Sequence, residues 1–194
     1  LWNVEAGVGN MGWYGGLAQA RYRTLREAGA VGFRYLDAAA THGAGYVVVP
    51  GPLENLRLIG VDPARAEVVA QDPQLPASLV RLPHRPFAYL AQNVEQADAR
   101  RALQSVLEPG FAESGRSVVE GAGFAGCPGC GPAKVQCPEP ARCEVAIAPT
   151  GPATLVVNVP PLPGWSFELD GEEVEPVHAN FLASAVAVPP GTHR

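Results

Sequence analysis

Proline and glycine punctuate this chain from end to end: 20 prolines and 22 glycines lie among its 194 residues. Proline breaks a helix interior and leaves a sheet ladder one donor short. Glycine supplies the backbone angles of tight turns. Short strands and turns must therefore outnumber long helices. Hydrophobic residues still make up 47% of the chain, enough to bury a core in one large domain or two small ones.

Periodicity sorts the pieces. "LAQARYRTLREAGA" places Ala18, Tyr22, Leu25 and Ala28 at three- and four-residue steps, which predicts a helix ended by Gly29 in a left-handed conformation. A shorter helix is expected from Val31 to Ala39. "GYVVVPGP" is a β-branched run closed by turn residues, and "LRLIGV", "AEVVAQD" and "PFAYLAQ" read as further short strands. "NVEQADARRALQSVLEPG" predicts a second good helix, with Asn93 as its cap, Gln96 at the capping-box spacing, and Leu103 and Val106 on its apolar face. From Gly121 to Pro140 the composition turns to Gly, Pro and Cys, the signature of a loop. Beyond it "CEVAIAP", "ATLVVNV", "WSFEL", "EEVEPV" and "SAVAVPP" are short strands divided by turn signals. The fold class expected is α+β: a mixed α/β N-terminal half followed by an antiparallel, β-sandwich-like C-terminal half. The spans expected are 1–120, 121–142 and 143–194, or one continuous domain.

"PGWSFELDGEEVE", residues 163–175, concentrates carboxylates beside an indole. Trp165, Phe167 and Leu169 alternate with Ser166 and Glu168, the period of a strand wet on one face. Asp170-Gly171 is a dipeptide that tolerates the positive φ angles of a two-residue type I′ turn. Glu173 and Glu175 fall out of phase with the returning valines. A carboxylate pair for general acid–base work needs one member with a burial-raised pKa, and this alternation puts the glutamates in solvent. The stretch reads as a hairpin, with Trp165 in the core.

The same region resembles the closing signature of the bacterial YfhO-like membrane protein family. The residues that carry the resemblance are Pro163, Gly164, Trp165, Asp170, Gly171, Asn180, Pro189, Gly191 and His193. "QARYRTLREAG", "GAGYVVVP" and "RPFAYLAQNVEQADARRALQSVLEPGF" also resemble that family's Arg-Tyr helix, a strand, and a strand-helix segment. Two features depart from the pattern: Leu162-Pro163 stands in place of Tyr-Pro, and the Cys-rich loop has no counterpart. The resemblance implies a polytopic parent of the GT-C glycosyltransferase type in the bacterial cell membrane, moving a sugar from a lipid-phosphate carrier to a cell-envelope acceptor. This portion would be its soluble domain on the extracytoplasmic side, with the parent's transmembrane portion as partner and cell-envelope glycan or lipid-linked sugar within reach. No catalytic residue and no cofactor carries over, and the isolated domain is expected to be inactive.

Cys127, Cys130, Cys137 and Cys143 are spaced C-x2-C-x6-C-x5-C. Four thiolates can hold zinc, but the gaps are short for a zinc ribbon. An extracytoplasmic location favours two disulfides over zinc or free thiols, and the spacing leaves all three pairings open. His42, His84, His178 and His193 show no ligand spacing, so no metal site is assigned. No Ser sits in a G-x-S-x-G elbow, and "GAGYVVV" lacks the later glycine of a dinucleotide loop.

A net charge of −5 argues against nucleic acid, whose recognition needs a basic face. No window reaches the roughly 18–20 apolar residues that span a bilayer. The chain begins on Leu1 and stops after a strand-like run, which reads as a soluble piece of a longer protein. Trp13 and Tyr14 lie between glycines in "MGWYGGL", where they would serve as a hydrophobic anchor or as a stacking platform for a glycan. Beside the accessory-domain reading stand two others: a carbohydrate-binding module using Trp13 and Tyr14, and a structural interaction domain with an exposed apolar patch.

Overall fold

The computed structural model describes residues 20–30, 35–59, 67–72, 77–139, 142–162 and 165–194. The fold is α+β and dominated by sheet. The chain divides into two compact units, residues 1–85 with 107–113, and residues 86–106 with 114–194. The second unit draws strands from both sides of residues 121–142, so the units differ from the spans 1–120, 121–142 and 143–194 that composition suggests.

The first unit holds helices α1 (Ala20–Ala30) and α2 (Tyr35–Thr41) and an antiparallel sheet of order β1-β3-β2, from Tyr46–Pro50, Ala77–Arg81 and Glu67–Asp72. Leu25 of α1 is fully buried. Gly29 lies inside α1 rather than beyond its end, a correction to the expected left-handed cap. "LRLIGV" is also corrected over its described residues: Leu53–Ile59 is a 3-10 helix, and Gly60 and Val61 lie outside the described residues. Gly51 at φ 81° turns the chain out of β1, and the Asn55 side chain donates back to the Pro50 carbonyl at 2.9 Å. That turn coils the segment, and Leu56 packs on Val49 and Val80. The Arg85 guanidinium is buried, donates to the Phe111 carbonyl at 2.7 Å and lies over the Phe111 ring at 4.8 Å. It ties residues 107–113 into this unit.

The second unit is built on a six-stranded sheet of order β4-β9-β13-β12-β6-β5. These strands are Ala88–Leu90, Ala153–Val157, Ala183–Val188, Val177–Ala179, Arg116–Val119 and Asn93–Gln96. All neighbours are antiparallel except β5 and β6, which run parallel. Alternation assigns the faces: Ala88, Leu90, Leu155, Val157 and Val188 point one way, and Tyr89, Val156, Ala183 and Ala185 the other. Both faces of the central strands β9 and β13 are apolar, so these two read as near-continuous hydrophobic runs.

The helix expected from Asn93 is shorter than predicted. Asn93–Gln96 pairs along Arg116–Val119 as β5, and the helix, α3, spans only Ala99–Val106. Asp98, not Asn93, is the cap: its carboxylate accepts the Arg101 N–H at 2.8 Å. Ala102 and Val106 of α3 are fully buried, while Leu103 is only half-buried. The Cys-rich span is likewise not a plain loop. It carries β7 (Lys134–Glu139), which pairs with β8 (Arg142–Ala146). Just before it, the Leu90 N–H donates to Gly131 at 3.0 Å and the Ala133 N–H to Ala88 at 2.9 Å. This segment covers the outer edge of β4, which would otherwise offer unpaired backbone groups.

A second hairpin, β10 (Phe167–Leu169) with β11 (Glu172–Val174), completes the picture. Val135, Val145, Phe167 and Leu169 of the two hairpins pack against the Leu155 and Val157 face. The result is sandwich-like: a six-stranded layer under two separate two-stranded ones.

Candidate functional site

Between the two hairpins lies a cleft of about 770 Å³. Its floor is Leu155, Val157 and Val186 of the sheet face with Ile147, which follows β8, each 7–8% exposed. One wall is β8, the other β10. The rim is charged. Glu144 accepts from Arg142 at 3.2 Å and from Arg194, so one carboxylate holds two guanidinium groups. Glu168 and Asp170 stand on the opposite wall.

Trp165 and Phe87 also line this cleft, at 45% and 38% exposure. Trp165 was expected in the core, in phase with Phe167 and Leu169. It instead precedes the first paired residue of β10, where no ladder fixes its direction, and its ring is half in solvent. Trp13, Tyr14, Pro163 and Gly164 lie outside the described residues.

The Asp-Gly turn forms as the sequence dictates. Asp170 and Gly171 take φ 54° and 87°, and Leu169 pairs with Glu172 across a two-residue loop. Glu168, Glu172, Glu173 and Glu175 are exposed. Asp170 does something further. Its Oδ2 accepts from His193 Nδ1 at 2.6 Å, and its Oδ1 accepts the Arg194 N–H at 2.8 Å. The Asp170 N–H donates to the Arg194 carbonyl at 2.8 Å. His193 Nε2 meets the Pro189 carbonyl at 3.0 Å. Both ring nitrogens thus face acceptors, which favours the doubly protonated imidazolium.

The electrostatics follow from these contacts. The hydrogen bond to Asp170 raises the His193 pKa above the ordinary imidazole value. The hydrogen bond from His193, with the Arg194 amide, holds the Asp170 carboxyl below the usual carboxylate range. A general acid needs a shift in the other direction. Asp170 and His193 form a latch that fastens the C-terminal tail to the hairpin turn. Gly191, at φ 135°, sets the approach; a Cβ there would come within 3.2 Å of His193 Nε2.

Asn180 serves the fold as well. It is fully buried at φ 45°, in the turn between β12 and β13. Its Oδ1 accepts the Val118 N–H at 3.0 Å, its own N–H donates to the Val118 carbonyl at 2.7 Å, and its Nδ2 donates to the Tyr89 hydroxyl at 2.8 Å. A side chain thereby supplies the ladder bond that the turn would otherwise forfeit.

The cysteines pair as Cys127–Cys130 and Cys137–Cys143, which takes up all four thiols and sets the zinc alternative aside. The second bridge staples the β7–β8 hairpin beside the cleft. Among the described residues no group of three His, Cys, Asp or Glu side chains is arranged to hold a metal ion, and no helix is long and apolar enough to cross a membrane. Two disulfides point to an oxidising extracellular or periplasmic environment.

Sequence reasoning missed the cleft and its Arg142–Glu144–Arg194 cluster. The alternation of Cys143, Val145 and Ile147 against Glu144 was a signal for the wall, but the partner Arg194 lies 50 residues away. No protein-family model, curated protein or solved structure matches the chain.

Proposed function

We propose that this is the non-catalytic extracytoplasmic domain of a polytopic bacterial membrane protein resembling the lipid-linked-sugar glycosyltransferases of the cell envelope. One observation carries the reading: among the described residues that bear the resemblance, all but the half-exposed Trp165 serve closure of the fold. Asp170, Gly171, Gly191 and His193 meet in one latch, and Asn180 stitches β12 to β6. A signature made of structural positions is what an accessory domain retains. The disulfides fit a place outside the cytoplasm. The chemistry of transfer then belongs to the membrane portion, which is the partner of this domain.

The test is deletion of the domain from the full-length parent, with transfer of radiolabelled sugar measured in membranes. Loss of transfer, with no turnover by the isolated domain, is expected; undiminished transfer by the truncated parent overturns the reading. The glycan-binding alternative invokes Trp13 and Tyr14. Calorimetric titration with a millimolar neutral disaccharide, with Trp13→Ala as control, separates it from the accessory role.

A further inference from the structure

The C-terminal tail shuts one end of the cleft. Ile147 and His193 exchange both backbone hydrogen bonds, at 3.2 and 2.9 Å. The carbonyl of the next residue, Arg194, accepts the Asp170 N–H of the other hairpin at 2.8 Å. The tail therefore bridges the walls at this end, one strand spacing from each, which sets them about 9–10 Å apart. From Ile147 one wall runs back along β8 to Arg142, and from Asp170 the other runs back along β10 to Trp165. Each stretch takes about five residue steps, or roughly 15–17 Å. Arg142 and Trp165 thus stand at the end away from the tail.

Two rings line this cleft with tied backbones. The Trp165 N–H donates to the Leu162 carbonyl at 3.1 Å, and the Phe87 carbonyl accepts the Asn158 N–H at 2.7 Å. Among the large apolar side chains of the lining only these two are exposed; the others are buried or half-buried. Single exposed apolar residues are ordinary on a protein surface. Two aromatic ones lining a single concavity of about 770 Å³, a volume within the range of small-ligand sites, call for a ligand.

Charge narrows its chemistry. Glu144 holds Arg142 and Arg194, Asp170 holds His193, and Glu168 offsets the second guanidinium, so the charged side chains of the cleft balance. An anion would have to displace Glu144 from its guanidinium groups, and a cation would meet both exposed arginines. A wholly apolar ligand would strip water from this rim and return no hydrogen bond. What fits is a neutral molecule with a flat apolar face and a polar edge. A pyranose ring with equatorial hydroxyls has that form. Its axial C–H groups lie against an aromatic face, and each edge hydroxyl both donates and accepts. Ser166 offers a hydroxyl, Glu168 an acceptor, and Arg142 the N–H groups that Glu144 leaves over.

We propose that the open end of the cleft binds a neutral glycan built of such rings, one ring stacked on Trp165 and its edge hydroxyls bonded to Ser166, Glu168 and Arg142. This goes beyond the accessory role, which needs no ligand. It rests on the second unit alone and uses neither Trp13 nor Tyr14.

Titration of the Trp2→Phe, Trp13→Phe protein, in which Trp165 is the remaining tryptophan, tests this with cellotriose as the neutral probe, up to about 20 mM. Trp165 emission should change and saturate, with Kd about 1 mM or tighter. By calorimetry, Trp165→Tyr should keep the affinity within about threefold. Trp165→Leu, which keeps an apolar side chain but no ring, should weaken it by about tenfold or more. Both variants should keep the Tm of the unsubstituted protein, since Trp165 precedes the first paired residue of β10. Emission that does not respond to cellotriose overturns the proposal, as does a Trp165→Leu protein that binds as tightly as the unsubstituted one. A trisaccharide of glucosamine or of glucuronic acid that binds more than about tenfold tighter than cellotriose overturns it too, by making the ligand charged. Failure leaves the accessory-domain reading untouched, because that reading stands or falls on sugar transfer by the truncated parent.

Discussion

Replacing Asn180 with alanine removes both hydrogen bonds of a fully buried side chain. Val118 is fully buried, and its N–H loses its acceptor when the Asn180 side chain goes; an unsatisfied buried donor costs about 2 kcal/mol. The Tyr89 hydroxyl keeps a 3.3 Å contact with Ser117, so loss of the Asn180 amide there costs only about 0.5–1 kcal/mol. Asn180 sits at φ 45°, where alanine is disfavoured by about 1 kcal/mol relative to residues that tolerate the left-handed region. The sum is about 3.5–4 kcal/mol, a large part of the 5–15 kcal/mol that holds a typical domain together. With an m-value of about 2 kcal/mol per molar urea, the midpoint should fall by roughly 1.5–2 M. Trp165 belongs to the same unit, so its fluorescence in a Trp2→Phe, Trp13→Phe background is the assay. Asn180→Gly should recover about 1 kcal/mol of the loss, since glycine accepts the angle without strain but restores no bond. A midpoint shift under about 0.3 M for the alanine variant, or the same shift for alanine and glycine, would refute the reasoning.

Three further predictions concern the latch, the staple and a helix cap. His193 has a raised pKa, so its contribution to stability is complete below about pH 6.5 and is lost as pH climbs through the raised value; Asp170 has a lowered one, so its contribution is complete above about pH 4 and is lost as pH falls through the lowered value. Tm should therefore peak in mildly acidic solution, and His193→Gln should flatten the alkaline limb; an unchanged profile in that variant contradicts the latch. Converting Cys137 and Cys143 together to serine opens a seven-residue loop and should lower stability by about 2 kcal/mol, read as a lower urea midpoint that reductant does not shift further at that bridge. Asp98→Ala removes the α3 cap and should cost about 1 kcal/mol; no loss on thermal unfolding would move the cap elsewhere.

What the sequence made legible was local. The Asp170-Gly171 turn, the runs that became β9 and β13, and the β-branched β1 carry their conformation in neighbouring residues. The misreadings share a cause. Asn93 and Gln96 have the spacing of a capping box, yet parallel pairing with Arg116–Val119, a contact across more than twenty positions, makes them strand. "LRLIGV" has strand composition, but the turn set by Gly51 and Asn55 coils Leu53–Ile59 and sets Leu56 on Val49 and Val80. Trp165 kept the phase of a strand that had not yet begun. Asp170 with His193, Asn180 with Val118 and Tyr89, and Glu144 with Arg194 are joined across 23 to 91 positions. No periodicity encodes such pairs, and they appear only once the sheets have assembled.

The account turns on whether Asp170 fastens the fold or performs chemistry. On the proposed reading of a sugar-transferring parent, the measurement that decides it is transfer by that protein carrying Asp170→Asn, normalised to folded protein, beside the Tm of the domain with the same substitution. A lower Tm with undiminished transfer per folded molecule is the expected result. Transfer abolished while Tm stays unchanged would contradict it.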